Sequence, residues 1–117
     1  MQSLLTIRTI NDLRPMNRMH NPPHPGLTIR EDILPALNLT VSAAAAQLGM
    51  NRVSPARVIN GNAGVSVELA RRLEAWLSGP AHGPSAASWL RLQMDYDLWQ
   101  AERSGKRIKV APARAGA

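Results

Sequence analysis

Apolar positions in the middle of the chain recur every three to four residues, which is the period of an amphipathic helix. We find no apolar/polar alternation long enough to predict a strand. The first periodic segment predicts a helix over residues 28–37, whose apolar stripe consists of Ile29, Ile33, Leu34 and Leu37. Pro35 lacks a backbone donor, so this helix is expected to bend or stop near its end.

A short, alanine-rich second helix is predicted from Val41 to Leu48, with Thr40 as its N-cap. Its small side chains Ala44 and Ala45 allow a neighbouring helix to approach closely. Gly49 follows and supplies the turn, because glycine adopts a left-handed backbone at little cost.

A third short helix starts directly after this turn. Asn51 or Ser54 caps it, and Pro55 lies in its first turn, where few intrahelical donors are lost. It ends at Asn60-Gly61. Two short helices joined by a glycine turn are typical of a helix-turn-helix, which predicts DNA binding.

Two longer amphipathic helices complete the pattern. Ser66 caps the fourth, whose buried stripe is predicted to be Leu69, Ala70, Leu73, Trp76 and Leu77. Residues 79–84 form a loop, and Ser85 caps a fifth helix over about residues 86–102. The sequence therefore predicts an all-α, five-helix domain over residues 24–102.

Both ends of the chain are predicted to be flexible. Residues 1–23 are expected to form an extended arm, since the prolines that follow Asn21 exclude regular helix or strand there. Residues 103–117 are basic and rich in Ala, Gly and Pro, which predicts a mobile tail.

The two faces of the third helix differ in chemistry. At 100° per residue, Pro55, Val58 and Ile59 point inward, and Val53, Ala56, Arg57 and Asn60 point outward. Arg57 can bind guanine O6 and N7, and Val53 can pack on a thymine methyl group. Arg52 and Ser54 are placed for base edges or a phosphate. Short donors suited to phosphate oxygens are Asn60, Asn62 and Ser66.

Composition agrees with a polyanionic partner. The chain has 14 Lys and Arg against 8 Asp and Glu, giving a net charge of +6. Cysteine is absent, which excludes disulfides and thiolate chemistry. No apolar run approaches the ~18 residues of a membrane span, and we find no signal peptide. We expect a cytoplasmic, nucleoid-associated protein that does not contact membranes.

Catalysis, metal binding and cofactors are not expected. His20, His24 and His82 lack the spacing of a helical metal pair, and His24 is expected to brace the start of the first helix. Asp95 and Asp97 are two residues apart on a helix, so they do not share a face. We therefore expect no enzyme activity.

Several segments together resemble one family. HPG at 24–26, LTIREDILPALNLT at 27–40, AAAAQLGMNRVSPARVINGNAGVS at 43–66 and WLRLQMDYDLWQA at 89–101 resemble HigA-type antitoxins of the Cro/repressor (XRE) class. The resemblance implies a lambda-repressor-like fold and a recognition helix over residues 51–60. It also implies a dimer that represses its own operon at a palindromic operator and neutralises a HigB-type RNase toxin. The DNA-binding set would be Arg52, Val53, Ser54, Arg57, Asn60 and Ser66.

The chain departs from this class at four positions. Val41 stands where a Gln often clamps the DNA backbone, and Ala43 and Ala46 replace charges. Pro55 replaces an aliphatic residue, which predicts a recognition helix shortened by part of a turn. Two alternatives therefore stay open: a free-standing regulator without a toxin, and an interaction module that has lost DNA binding.

The fifth helix carries two apolar faces. Trp89, Leu92, Tyr96 and Trp99 lie on one side, and Leu90, Met94 and Leu98 lie on the other. One small core needs only one stripe, so the second face is expected to meet the same helix of a second copy. The toxin, or cover within the chain, are the alternatives.

Overall fold

A computed structural model describes residues 21–80 and 82–116. Those residues form five helices and no strand, which confirms the predicted all-α fold. The arm predicted for residues 1–23 lies mostly outside the described residues. Residues 21–24 are not helical, although Pro22 is buried.

The first helix, α1, is continuous over Pro25–Thr28, Ile29–Ile33 and Leu34–Leu37. It begins three residues earlier than predicted, because Pro25 occupies the first helical position and needs no backbone donor there. The prediction that prolines exclude regular structure here was wrong for Pro25.

The middle of α1 is a π-helical turn, in which the Leu34 amide donates to the Ile29 carbonyl. Such turns insert one extra residue, and here the turn immediately precedes Pro35. The helix therefore continues past the proline to Leu37. Ile29 and Leu34 are both buried although they are five residues apart, whereas Leu37 is exposed, contrary to the predicted stripe.

Four further helices follow. They are α2 (Val41–Leu48), α3 (Val53–Ile59), α4 (Val67–Trp76) and α5 (Ala86–Arg103). The predicted caps Thr40, Ser66 and Ser85 each accept a hydrogen bond from the backbone amide three residues ahead. Gly49 ends α2 with φ of 70°, as expected for a left-handed C-cap.

One apolar core joins all five helices. Its largest fully buried side chains include Trp89 of α5 and Leu73 of α4. Ala70 is fully buried, and Ala44 is nearly so, which lets α2 and α4 approach closely. Other members of the core are Ile29, Leu34, Leu48, Val58, Ile59, Val65, Leu69 and Leu77.

The chain after α5 is exposed and has no regular secondary structure through residue 116. Gly105 adopts φ of 74° at the end of the helix. We call residues 104–116 the tail. No helix among the described residues is long and apolar enough to cross a membrane.

Candidate nucleic-acid interface

Helix α3 has one buried and one exposed face, as the pattern predicted. Pro55, Val58 and Ile59 are buried against the core. Val53, the first residue of α3, is 64% exposed. Arg52, Ser54, Arg57 and Asn60 are also exposed. The helix therefore presents a compact surface of short side chains and two arginines.

The N-cap of α3 is Arg52, which makes no side-chain capping bond, so the prediction of Asn51 or Ser54 at that position was wrong. The Asn51 side chain nevertheless binds the first helical amide. The Asn51 Oδ1 accepts a hydrogen bond from the Val53 amide at 2.8 Å. The first helical backbone bond runs from the Ala56 amide to the Arg52 carbonyl at 3.0 Å. Pro55 precedes that bond, so it removes no donor that the helix would use. The helix is seven residues long and starts at Val53.

The other end of α3 is closed by the turn that leads to α4. The Asn62 amide donates to the Arg57 carbonyl at 2.8 Å, and the Arg57 Nη2 donates to the Asn62 carbonyl at 3.4 Å. Gly61 has φ of 79°, which allows the chain to reverse. Arg57 is thus held by one long hydrogen bond that a stronger acceptor can displace.

The helices before and after α3 in the chain, α2 and α4, both begin with a hydroxyl cap. The Ser66 Oγ accepts from the Leu69 amide, and the Thr40 Oγ1 accepts from the Ala43 amide, both at 3.1 Å. A hydroxyl that accepts a capping bond keeps its own O–H as a donor. Both side chains can therefore still donate to a phosphate oxygen.

Val41 packs partly buried against the core instead of reaching outward. It supplies no polar contact at the start of α2. Ala46 is exposed and Ala43 is half-buried, and their methyl side chains give this part of α2 no charge with which to contact DNA.

The HPG segment holds α3 against α1. The His24 Nδ1 accepts from the Gly26 amide at 2.9 Å and caps α1, as expected for a histidine that braces this helix. A Cβ atom on Gly26 would overlap the carbonyl group of Val58 in α3. Only glycine permits this backbone contact. The His24 ring also packs edge-on against Tyr96 of α5, with centroids 4.9 Å apart.

Gln93 of α5 fixes the turn between α3 and α4. Its Oε1 accepts from the buried Val65 amide, and its Nε2 donates to the Asp97 Oδ1, both at 2.8 Å. Gly64 lies against the side-chain amide group of Gln93, since a Cβ atom on Gly64 would come within 3.0 Å of that group. Gln93 is therefore a buried polar residue that positions the neighbourhood of Ser66.

Comparison with known proteins shows the same arrangement of helices elsewhere. No protein-family model matches the chain. Virulence-associated protein A' of Dichelobacter nodosus is 36% identical over 94 residues, which cover 80% of this chain and 77% of that protein. An antidote protein of a plasmid maintenance system from Nostoc punctiforme is 35% identical, with TM-score 0.65, covering 74% of this chain and 88% of that one.

The antitoxin HigA of Pseudomonas aeruginosa, solved with its higBA promoter, is 26% identical with TM-score 0.65. That match covers 72% of this chain and 86% of HigA. The chain belongs to the HigA-type family of helix-turn-helix antitoxins. None of these comparisons indicates an enzyme family.

Within this HigA-type domain, Arg72 is a structural residue that sequence reasoning missed. Its Nη1 donates to the Leu48 carbonyl at the end of α2 at 2.8 Å, and its Nε donates to the Glu68 carboxylate at 3.1 Å. It thereby ties α4 to the turn of the helix-turn-helix at Gly49. An Arg four residues after a Glu indicated the ion pair but not the backbone contact.

The second apolar face of α5 is only partly free. Met94 is 51% exposed and Leu98 is 42% exposed, whereas Leu90 packs partly buried against the core. On the other face Trp89 is fully buried, Leu92 packs on the core and Trp99 lies under the Arg103 guanidinium at 4.9 Å. Met94 and Leu98 therefore form the exposed part of the predicted interface.

The described residues contain no group of three or more His, Asp or Glu side chains that could hold a metal. His24 is engaged at the helix cap and His82 is exposed, while His20 lies outside the described residues. Asp97 orients Gln93, which gives it a structural role.

Proposed function

We propose that this protein is an operator-binding antitoxin that reads DNA with α3. The observation that carries the proposal is the exposed face of α3, where Val53 and Arg57 lie beside each other on a helix buried on its other side. A helix of this size fits the major groove. The HigA of P. aeruginosa, of the same family, has been solved with its promoter.

The contacts divide into base reading and phosphate binding. Arg57 would bind a guanine edge, Val53 a thymine methyl, and Arg52 and Ser54 a base edge or a phosphate. Asn60 and Ser66 would donate to phosphates, which set the register of the protein on the duplex. A helix-turn-helix protein reads a palindrome as a two-fold dimer, and Met94 and Leu98 of α5 offer an exposed apolar surface for that contact.

We further propose that the dimer represses its own operon and neutralises a HigB-type RNase toxin, acting in the cytoplasm on nucleoid DNA. Family membership and the name of the Nostoc punctiforme antidote protein support this.

One cellular experiment tests both activities. A reporter is fused to the DNA upstream of the gene, and a HigB-type toxin encoded beside the gene is expressed from a separate inducible promoter; absence of such a reading frame would itself contradict the antitoxin role. The protein is expected to lower reporter output and to restore growth after toxin induction. Repression without growth rescue would indicate a free-standing regulator, and rescue without repression would indicate a module that has lost DNA binding. Either result would contradict the full proposal.

A further inference from the structure

The tail carries a concentrated positive charge that the fold does not use. The tail contains four basic residues, Lys106, Arg107, Lys109 and Arg114. No acidic residue lies between Ser104 and the end of the sequence. Every described residue of the tail is exposed. Arg30 pairs with Glu31 and Arg72 pairs with Glu68, both within the helical domain.

The path of α5 determines where the tail starts. At one end of the α4–α5 pair the Gly83 amide donates to the Leu77 carbonyl, and at the other Gln93 accepts from the Val65 amide. Helix α5 therefore runs back along α4, from its end toward its beginning. It then continues from Gln93 to Arg103, a length of about 15 Å at 1.5 Å per residue.

Because α5 continues beyond Gln93, the tail begins past the start of α4. Ser66, at that end of α4, is proposed to meet a phosphate. Arg103, stacked on Trp99, anchors the last turn of α5, and the Ser104 Oγ donates to the Ala101 carbonyl at 2.7 Å. The tail thus leaves from a fixed point on that side of the domain. Extended, it can span up to about 40 Å.

Resting on the proposed DNA binding, we propose that the tail is a second DNA contact, a basic arm that binds phosphates without reading sequence. Its bases are exposed, no acidic residue follows Ser104, and the tail starts beyond the start of α4, where Ser66 is proposed to meet a phosphate. Each phosphate that they neutralise releases counterions, so the arm adds affinity equally on every sequence and steepens the salt dependence.

The test replaces the four bases with glutamine in the full chain, as K106Q/R107Q/K109Q/R114Q. Binding to a random duplex of about three helical turns is followed by fluorescence anisotropy between about 50 and 200 mM salt. The variant lacks two to four phosphate contacts. Raising the salt over that range should therefore weaken binding by the parent about 10- to 100-fold more than binding by the variant. Thermal unfolding should be unchanged, since the tail lies outside the core.

The matched control is I108S/V110S, which keeps all four bases and changes two side chains that are 83% and 76% exposed. It should bind DNA like the parent. An unchanged salt slope in the glutamine variant would overturn the arm. So would a loss of affinity confined to I108S/V110S, which would show that the apolar side chains of the tail, and not its bases, contribute to DNA binding. If Arg57→Ala still lowers operator affinity, either result leaves the proposed function standing.

Discussion

At the scale of single residues, the motifs that identify the family hold α3, the proposed recognition helix, in place. Gly26 allows the backbone of α1 to touch the Val58 carbonyl, and His24 caps α1 while packing on Tyr96. HPG and the YDLW segment are far apart in sequence but meet at this ring contact. The family resemblance marked both motifs, yet the sequence could not show that they touch, because neither resemblance nor periodicity gives contacts between helices.

Gly26→Ala tests this close approach. The added Cβ collides with backbone, which cannot rotate away, so α1 or α3 must shift. We expect a loss of about 2–3 kcal/mol in the free energy of unfolding and a fall in Tm on the order of 10 °C. Differential scanning fluorimetry or denaturant titration measures both.

Gly79→Ala is the matched control, because nothing lies within 4 Å of a Cβ at that position. It should change stability by no more than about 0.5 kcal/mol. Equal stability of the two variants would contradict the proposed role of Gly26.

At the scale of elements, helix existence, order and most helix ends followed from the sequence, whereas the start of α1 and the buried polar contacts did not. Four of the five helices were predicted to within two residues at each end. The start of α1 was missed because a proline at the first helical position was interpreted as a breaker. Gln93 was missed because its position on α5 said nothing about the Val65 amide that it meets.

The exposed side of α5 gives the prediction at this scale. Met94→Asp with Leu98→Asp places two charges on the proposed two-fold contact, where burial would desolvate them. Light scattering should report the mass of one 12.7 kDa chain in place of two. The variant should also lose preference for a palindrome over a single half-site.

Leu37→Asp serves as the control, since Leu37 on α1 has the same exposed fraction as Leu98, 42%. This variant should remain dimeric. Persistence of the dimer in the α5 variant would place the interface on another surface.

At the scale of the whole molecule, the apolar core lies in the five helices and a cluster of basic residues lies in the tail. Gly26, Gln93 and Arg72 hold α3 and the turns around it in place, and the tail carries four exposed bases. Sequence analysis predicted which face of α3 is exposed, because a seven-residue helix with a buried face leaves few side chains free. That this face contacts DNA stays a prediction. The sequence did not show where the tail begins relative to α4, since that depends on how α5 packs.

The substitution Arg57→Ala tests the central claim, that α3 reads DNA sequence, most directly. Affinity is measured at fixed salt on DNA from upstream of the gene and on a random duplex, with Arg91→Ala on α5 as the control for lost charge. We predict that Arg57→Ala weakens binding to the upstream DNA by about 1–3 kcal/mol beyond any loss on the random duplex. Arg91→Ala should show no such difference. Equal losses on both duplexes for Arg57→Ala, or no binding by the parent protein even at low salt, would contradict the account.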